Sequence, residues 1–191
     1  MGLKIAFDLD GCLINIESVI RKLITETYNI EIKQFPKEED HFDFRMATGL
    51  TNNQLWPIFR LAYKEIETTP IFPGATELLA KLYELSGEPP FILTARPSDA
   101  ANETYAMVSK VAKGTPFKLV LKHPNADKSQ YLGNYDFFVE DRRKTALELS
   151  ETEICTLLIE RNYNYIKDPP KNIIYIKGVD NLIPYVNNFI Y

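Results

Sequence analysis

Cysteine is scarce in this chain of 191 residues: Cys12 and Cys155 are the only two, and they stand far apart. Such a pair makes no disulfide framework and fits a reducing compartment. Long apolar runs are missing as well, none approaching the ~20 residues that a membrane-spanning helix needs. The amino-terminal residues carry no signal-peptide pattern, and Ala6 stands where an N-myristoylation signal wants Ser or Thr. A cytoplasmic protein with no membrane partner is therefore expected. Positive charge is in deficit, with 22 Lys and Arg against 26 Asp and Glu, a net charge of -4 and a pI near 5.3. That balance argues against a dedicated binder of nucleic-acid polymers, whose affinity rests on clustered cations. Histidine is nearly absent too: His41 and His123 lack acidic or cysteine partners at ligand spacing, so both read as loop-packing or solvent-facing residues. There are no repeats and no low-complexity segments.

With 45% hydrophobic residues the chain can bury one substantial core, with room for a small appended module. Apolar strand-like runs recur at Ile5–Phe7, Phe91–Thr94, Phe117–Leu121, Phe137–Val139, Thr156–Ile159 and Ile173–Ile176. Helical periodicity separates most of them, at Ala75–Leu85, Ala100–Val111 and Lys144–Leu149. Alternation of this kind predicts an α/β fold with a doubly wound parallel sheet. The stretch from Asn15 to Phe72 breaks the pattern. It holds no convincing strand and is too long for a crossover loop, so it reads as a helical insertion. Ile16–Thr27 forms one helix in this reading, and the capping-box pattern Thr51-Asn-Asn-Gln54 starts another that runs to about Glu67. The expected organisation is a core over 1–14 and 73–191 with a helical cap over 15–72. An insertion emerging after the first strand stands over that strand's tip, where it can act as a lid; a plain structural hairpin is the alternative.

The chemistry is concentrated at strand ends. Ile5-Ala-Phe7 leads straight into Asp8-Leu-Asp10-Gly11, which puts two carboxylates at the carboxyl end of a buried strand, where open α/β sheets bind ligands. Two such groups repel unless a cation joins them. A hard divalent ion such as Mg²⁺, which prefers oxygen ligands and accompanies substrate phosphates, suits the pair. At the next strand end, the hydroxyl of Thr94 and the loop at Ala95 and Arg96 can hold a phosphate oxygen; an ordinary strand-end threonine and a solvated Arg96 are the alternative. Lys128 offers a compact cation, and Tyr135-Asp-Phe-Phe-Val139 ends in a second acidic pair, Glu140-Asp141, ahead of Arg142-Arg143-Lys144. Singly, these read as a solvated turn, a surface lysine and a charged face. Two strand tips that each carry an acidic pair, with a hydroxyl and a lysine between them in sequence, have the composition of a metal-phosphate site.

In this order, Asp8-Leu-Asp10-Gly, Thr94, Lys128 and Glu140-Asp141 resemble the haloacid dehalogenase superfamily, and the match spans nearly the whole chain. An aspartate two residues after the first is the superfamily's phosphatase pattern, and the insertion is similar to its helical C1-type cap. The run from Ala62-Tyr63 through Pro73-Gly74-Ala75, the stretch from Asp127-Lys128-Ser129 to Glu140-Asp141, and Asn162-Tyr163-Asn164 resemble the 5'(3')-deoxyribonucleotidase family. Cys12 and Glu140 depart from it, standing where an apolar residue and an aspartate are more familiar. The resemblance implies that Asp8 is the nucleophile, forming an aspartyl-phosphate, and that Asp10 is the general acid and base. It further implies Mg²⁺ held by Asp8, the main-chain carbonyl of Asp10 and Asp141. Thr94 and Lys128 then hold the phosphoryl oxygens, and Glu140 orders waters or Lys128.

Specificity is assigned to the cap. Phe42 and Phe44, in its irregular loop, are the candidate platforms for a nucleobase, with Ala95 and Arg96 as further substrate contacts. Trp56, Phe59 and Tyr63 recur at helical spacing, and such a stripe reads first as core. The expected function is a Mg²⁺-dependent phosphomonoesterase acting on nucleoside or deoxynucleoside monophosphates, as a monomer or homodimer. A sugar phosphate or a nucleic-acid 3'-phosphate end is the alternative substrate. A silent binding module with the same fold is the alternative class, one expected to have lost Asp8, Asp10 or Lys128.

Overall fold

The computed structural model describes residues 4–32, 44–123 and 125–184. Six strands form one sheet: β1 (Ile5–Phe7), β2 (Phe91–Thr94), β3 (Lys118–Leu121), β4 (Phe137–Glu140), β5 (Cys155–Ile159) and β6 (Ile173–Ile176). Their spatial order is β3-β2-β1-β4-β5-β6, and every pairing is parallel. The central strands β1 and β2 are buried along their whole length, as a sheet covered on both faces requires. Phe7 and Phe138, fully buried on neighbouring strands, show why the apolar runs carry no alternation; truncation of either to alanine is expected to cost about 3–5 kcal/mol. The edge strand β3 is only half-buried and starts at Lys118, one residue after the expected Phe117.

Helices α4 (Ala75–Ser86), α5 (Ala101–Ala112), α6 (Ser129–Leu132) and α7 (Arg143–Ser150) belong to the connections between strands. The short α6 carries too little periodicity to be read from sequence. Three more helices, α1 (Ile16–Tyr28), α2 (Phe44–Thr48) and α3 (Asn52–Lys64), lie between β1 and α4. Asn15 caps α1 by accepting the Ser18 amide at 3.1 Å, and Gln54 reaches back to the Thr51 amide at 3.0 Å to start α3. α3 ends at Lys64, short of the expected Glu67, because Glu65 turns out of helical geometry and caps the backbone on Ala62.

The chain leaves and re-enters the sheet layer through two adjoining stems. Asn15 donates its amide to Pro70 at 2.8 Å, and Phe72 donates to Leu13 at 3.0 Å. β1 sits at the point where the winding reverses, with β2 on one side and β4 on the other. The crevice beyond the carboxyl ends of β1 and β4 is where such sheets receive ligands. No helix among the described residues is long and apolar enough to cross a membrane.

Candidate active site

Asp8 follows β1 directly, and its amide continues the ladder by donating to Val139 at 2.9 Å. The chain then curls, with Leu13 and Ile14 donating back to Leu9 and Gly11 donating to Ile14. Gly11 turns the corner at φ +80°, where a side chain is strained, and a Cβ there would meet Asp141 Oδ2 at 2.1 Å. Glycine after the second aspartate thus lets the β1 loop press against the tip of β4. This is the packing reason for the Asp-x-Asp-Gly sequence.

At that junction Asp8, Glu140 and Asp141 are all buried, and Asp8 and Glu140 meet one buried cation. Lys128 Nζ donates to Asp8 Oδ1 at 2.7 Å and to Glu140 Oε2 at 2.8 Å. The other Glu140 oxygen accepts the amides of Asp141 at 2.9 Å and Arg142 at 3.0 Å. Burial works against the Glu140 carboxylate, but Lys128 and the Arg142 amide outweigh it and hold the group below its ordinary range. Burial likewise opposes the Lys128 charge, and the two carboxylates overcome that and raise it, so Lys128 is a fixed cation.

Asp8 and Asp141 lie on the unfavourable side of the same balance. Burial pushes the Asp8 carboxyl up to about 7; the pull of Lys128 opposes this, and Glu140 and Asp10 add to it. Burial, then the charges of Glu140 and Asp8, hold Asp141 well above the carboxylate range. Three acidic groups around one lysine leave an excess of buried negative charge, which a divalent cation would neutralise. One oxygen each of Asp8, Glu140 and Asp141, with the Cys12 sulfur, lie within 4.8 Å of one another. The oxygen donors fit a hard cation such as Mg²⁺, with Asp8 and Asp141 available to hold it. Cys12 is buried below the site, its thiol directed to the Val139 carbonyl at 3.6 Å. Burial keeps that thiol protonated, so it serves as packing.

A second set of residues, in the loop after β5, supports the floor. Tyr163 donates its hydroxyl to Asp141 Oδ2 at 2.7 Å, and the Asn164 amide donates to the main-chain oxygens of Asp141 and Ile159, both at 2.7 Å. Arg161 Nη2 donates to the Gly11 carbonyl at 2.7 Å, and its guanidinium lies 4.7 Å from the centre of the Phe72 ring. The tripeptide Asn162-Tyr163-Asn164 stands out in the sequence by resemblance alone. The support given by Arg161 has no local signal, because the contact spans 150 residues.

Above the floor opens a cleft of about 270 Å³, just below the roughly 300–1,000 Å³ usual for small-molecule sites. Asp8, Asp10, Thr94, Ala95, Arg96, Lys128 and Asp141 all line it, so seven of the expected site residues converge on one place. Glu140 lies behind them on Lys128. The Thr94 hydroxyl, at the end of β2, accepts the Arg96 amide at 3.2 Å. Arg142 and Lys122 line the mouth, whereas Lys144 turns to Glu148 on its own helix. A cavity of equal volume at the amino ends of β1 and β2, lined by Lys4, Pro90 and Tyr135, contains none of the buried carboxylates.

The aromatic wall differs from expectation. Phe44 is buried under α3, edge-on to Phe59 with ring centres 5.8 Å apart, and does not line the cleft. Phe42 lies outside the described residues. The wall is the helical stripe instead: Trp56, Phe59 and Tyr63 face the cleft, and Trp56 is 52% exposed. The reason is that α3 has two apolar stripes. Leu55, Ile58 and Ala62 take the packing face, which turns the stripe one position further along out toward the cleft. Periodicity marks both stripes and does not say which one meets the core.

Neither a protein-family model nor a curated protein matches the sequence. Solved structures do resemble the fold. A haloacid dehalogenase-like family hydrolase from Streptococcus pneumoniae has 20% sequence identity and a TM-score of 0.59, with 96% of this chain and 98% of that one covered. An L-2-haloacid dehalogenase from Xanthobacter autotrophicus has 15% identity and a TM-score of 0.61, covering 98% and 99%. A predicted phosphoglycolate phosphatase from Haemophilus somnus has 16% identity and a TM-score of 0.58, covering 95% and 96%. The chain therefore shares their fold, a Rossmann-like parallel sheet flanked by helices.

Proposed function

We propose that the protein is a Mg²⁺-dependent phosphomonoesterase whose substrates are small phosphorylated molecules, nucleoside or deoxynucleoside monophosphates foremost. One observation carries this reading. Asp8, Lys128, Glu140 and Asp141 are gathered and buried at the floor of a cleft whose opposite wall is aromatic. Phosphoryl transfer asks mainly for positioning and charge neutralisation, and this floor offers a carboxylate nucleophile beside a fixed cation.

Asp8 attacks phosphorus: the Asp8 Oδ–P bond forms as the P–O bond to the alcohol breaks, and Asp10 gives its proton to the departing oxygen. Asp10 then takes a proton from the water that releases phosphate from Asp8, which restores both residues. Splitting one displacement into two is the benefit of a covalent intermediate, and the acid-base help is typically worth about 10² to 10⁴ in rate. Lys128 and the Thr94 hydroxyl hold phosphoryl oxygens, with the amides of Ala95 and Arg96 beside them. Mg²⁺ would be held by Asp8, Asp141 and the main chain at Asp10, and would supply charge neutralisation for the phosphoryl group. Residues 15–72 act as the cap, and Trp56, Phe59 and Tyr63 stack on the base.

The test is phosphate release from 5'- and 3'-nucleotides, sugar phosphates and p-nitrophenyl phosphate, each with Mg²⁺ or EDTA. Metal-dependent release that favours nucleotides is expected. Release from sugar phosphates alone would remove the base-stacking role of α3, and no release from any substrate would remove the enzyme reading.

A further inference from the structure

Asp10 is gripped by an arginine. Arg96 Nε donates to Asp10 Oδ2 at 2.9 Å and to Oδ1 at 3.2 Å, and Nη2 donates to Oδ1 at 2.7 Å. The Arg96 side chain is completely buried, while that of Asp10 is 25% exposed to the cleft. The guanidinium also lies over the Tyr63 ring, 4.5 Å from its centre. These two contacts are made at a cost, since Nη1 is buried with no partner among the described residues. A guanidinium placed to satisfy its own donors would not leave one orphaned. Its position is dictated by Asp10 below and Tyr63 above.

The two partners belong to different parts of the molecule. Asp10 sits on the loop after β1, and Tyr63 sits in the last turn of α3. Among the described residues Arg96 is the only side chain that hydrogen-bonds the Asp10 carboxylate. A planar bidentate bond fixes the plane of the carboxyl group, which a lysine could not do.

We infer that Arg96 is a positioning residue that sets the orientation of Asp10, and that Tyr63 makes this orientation depend on the seat of α3. Arg96 is then more than a substrate contact. The wall that meets the substrate also aims the group that protonates the leaving oxygen.

This rests on the phosphatase reading, and two measurements separate its failure from the failure of that reading. The first is kcat at saturating substrate, with KM followed separately, for a 5'-nucleotide, whose leaving alcohol needs a proton, and p-nitrophenyl phosphate, whose leaving group does not. General-acid help is worth about 10² to 10⁴, so Arg96→Gln and Tyr63→Leu should each lose about 10-fold or more in kcat beyond their kcat loss on p-nitrophenyl phosphate, a loss that weaker base stacking, felt in KM, would not give. Equal losses on the two substrates would overturn the inference. The second measurement needs no turnover: crystal structures of Arg96→Gln and Tyr63→Leu. The Asp10 carboxyl should leave its wild-type orientation in both, and an unmoved carboxyl in either would overturn the inference even in a protein with no measurable activity.

Discussion

Tyr163 donates its hydroxyl to Asp141 Oδ2 at 2.7 Å, across 22 residues of chain. Burial, and then the adjoining Asp141 charge, keeps that hydroxyl protonated, so it is a permanent donor. It fixes the carboxylate best placed to hold a cation. Outer partners of this kind are worth about 10- to 100-fold in metal affinity. Tyr163→Phe should therefore raise the Mg²⁺ concentration needed for half-maximal activity by that factor, with kcat at saturating Mg²⁺ largely kept. An unchanged Mg²⁺ dependence would show that Asp141 is held well enough without it.

Lys128 balances the buried carboxylates of Asp8 and Glu140. Removing one partner of a buried ion pair typically costs about 3–5 kcal/mol. Lys128→Met should lose stability on that scale in urea melts with EDTA present, along with its phosphatase activity. A loss below about 1 kcal/mol would mean that the acidic residues escape to solvent when the lysine is gone.

The excess of buried negative charge predicts strong linkage to the cation. At a hundredfold excess over its Kd, Mg²⁺ should stabilise the protein by about 2.7 kcal/mol, read as an upward shift in Tm over the EDTA form. Asp141→Asn should abolish most of that shift. Equal melting with Mg²⁺ and with EDTA would argue against a site at Asp8 and Asp141.

Much of this site could be read from the chain because chemistry at strand tips is local. Asp8-Leu-Asp10-Gly11 and Glu140-Asp141 each follow an apolar strand at once, so strand and function are legible together. All six strands and the helices α1, α3, α4, α5 and α7 follow from periodicity, with small shifts at their ends. What was illegible depends on tertiary contact. The Arg161 bond to Gly11 and the Arg96 bond to Asp10 join residues 150 and 86 positions apart. The exchange of roles between Phe44 and the Trp56, Phe59, Tyr63 stripe has the same origin. Phe44 is buried while Phe59 and Tyr63, partly buried against the core, also border the cleft with the exposed Trp56; how α2 and α3 pack settles this, and hydrophobicity alone does not.

Trp56 is the most exposed member of the aromatic wall. Base stacking on an aromatic side chain contributes about 1–3 kcal/mol, or roughly 5- to 150-fold in affinity. Trp56→Ala should raise KM for nucleotides within that range and leave KM for p-nitrophenyl phosphate nearly unchanged. Equal effects on both would assign Trp56 to packing.

In the proposed reaction Asp8 carries the phosphoryl group, and this step can be trapped. It is tested most directly by acid-quenching the enzyme during turnover of a radiolabelled 5'-nucleotide and mapping the labelled peptide. One hydroxylamine-labile phosphoryl group is expected on the peptide containing Asp8, and none in Asp8→Asn, whose far-UV circular dichroism stays that of the wild type. Label on another residue, or turnover by Asp8→Asn near the wild-type rate, would contradict it.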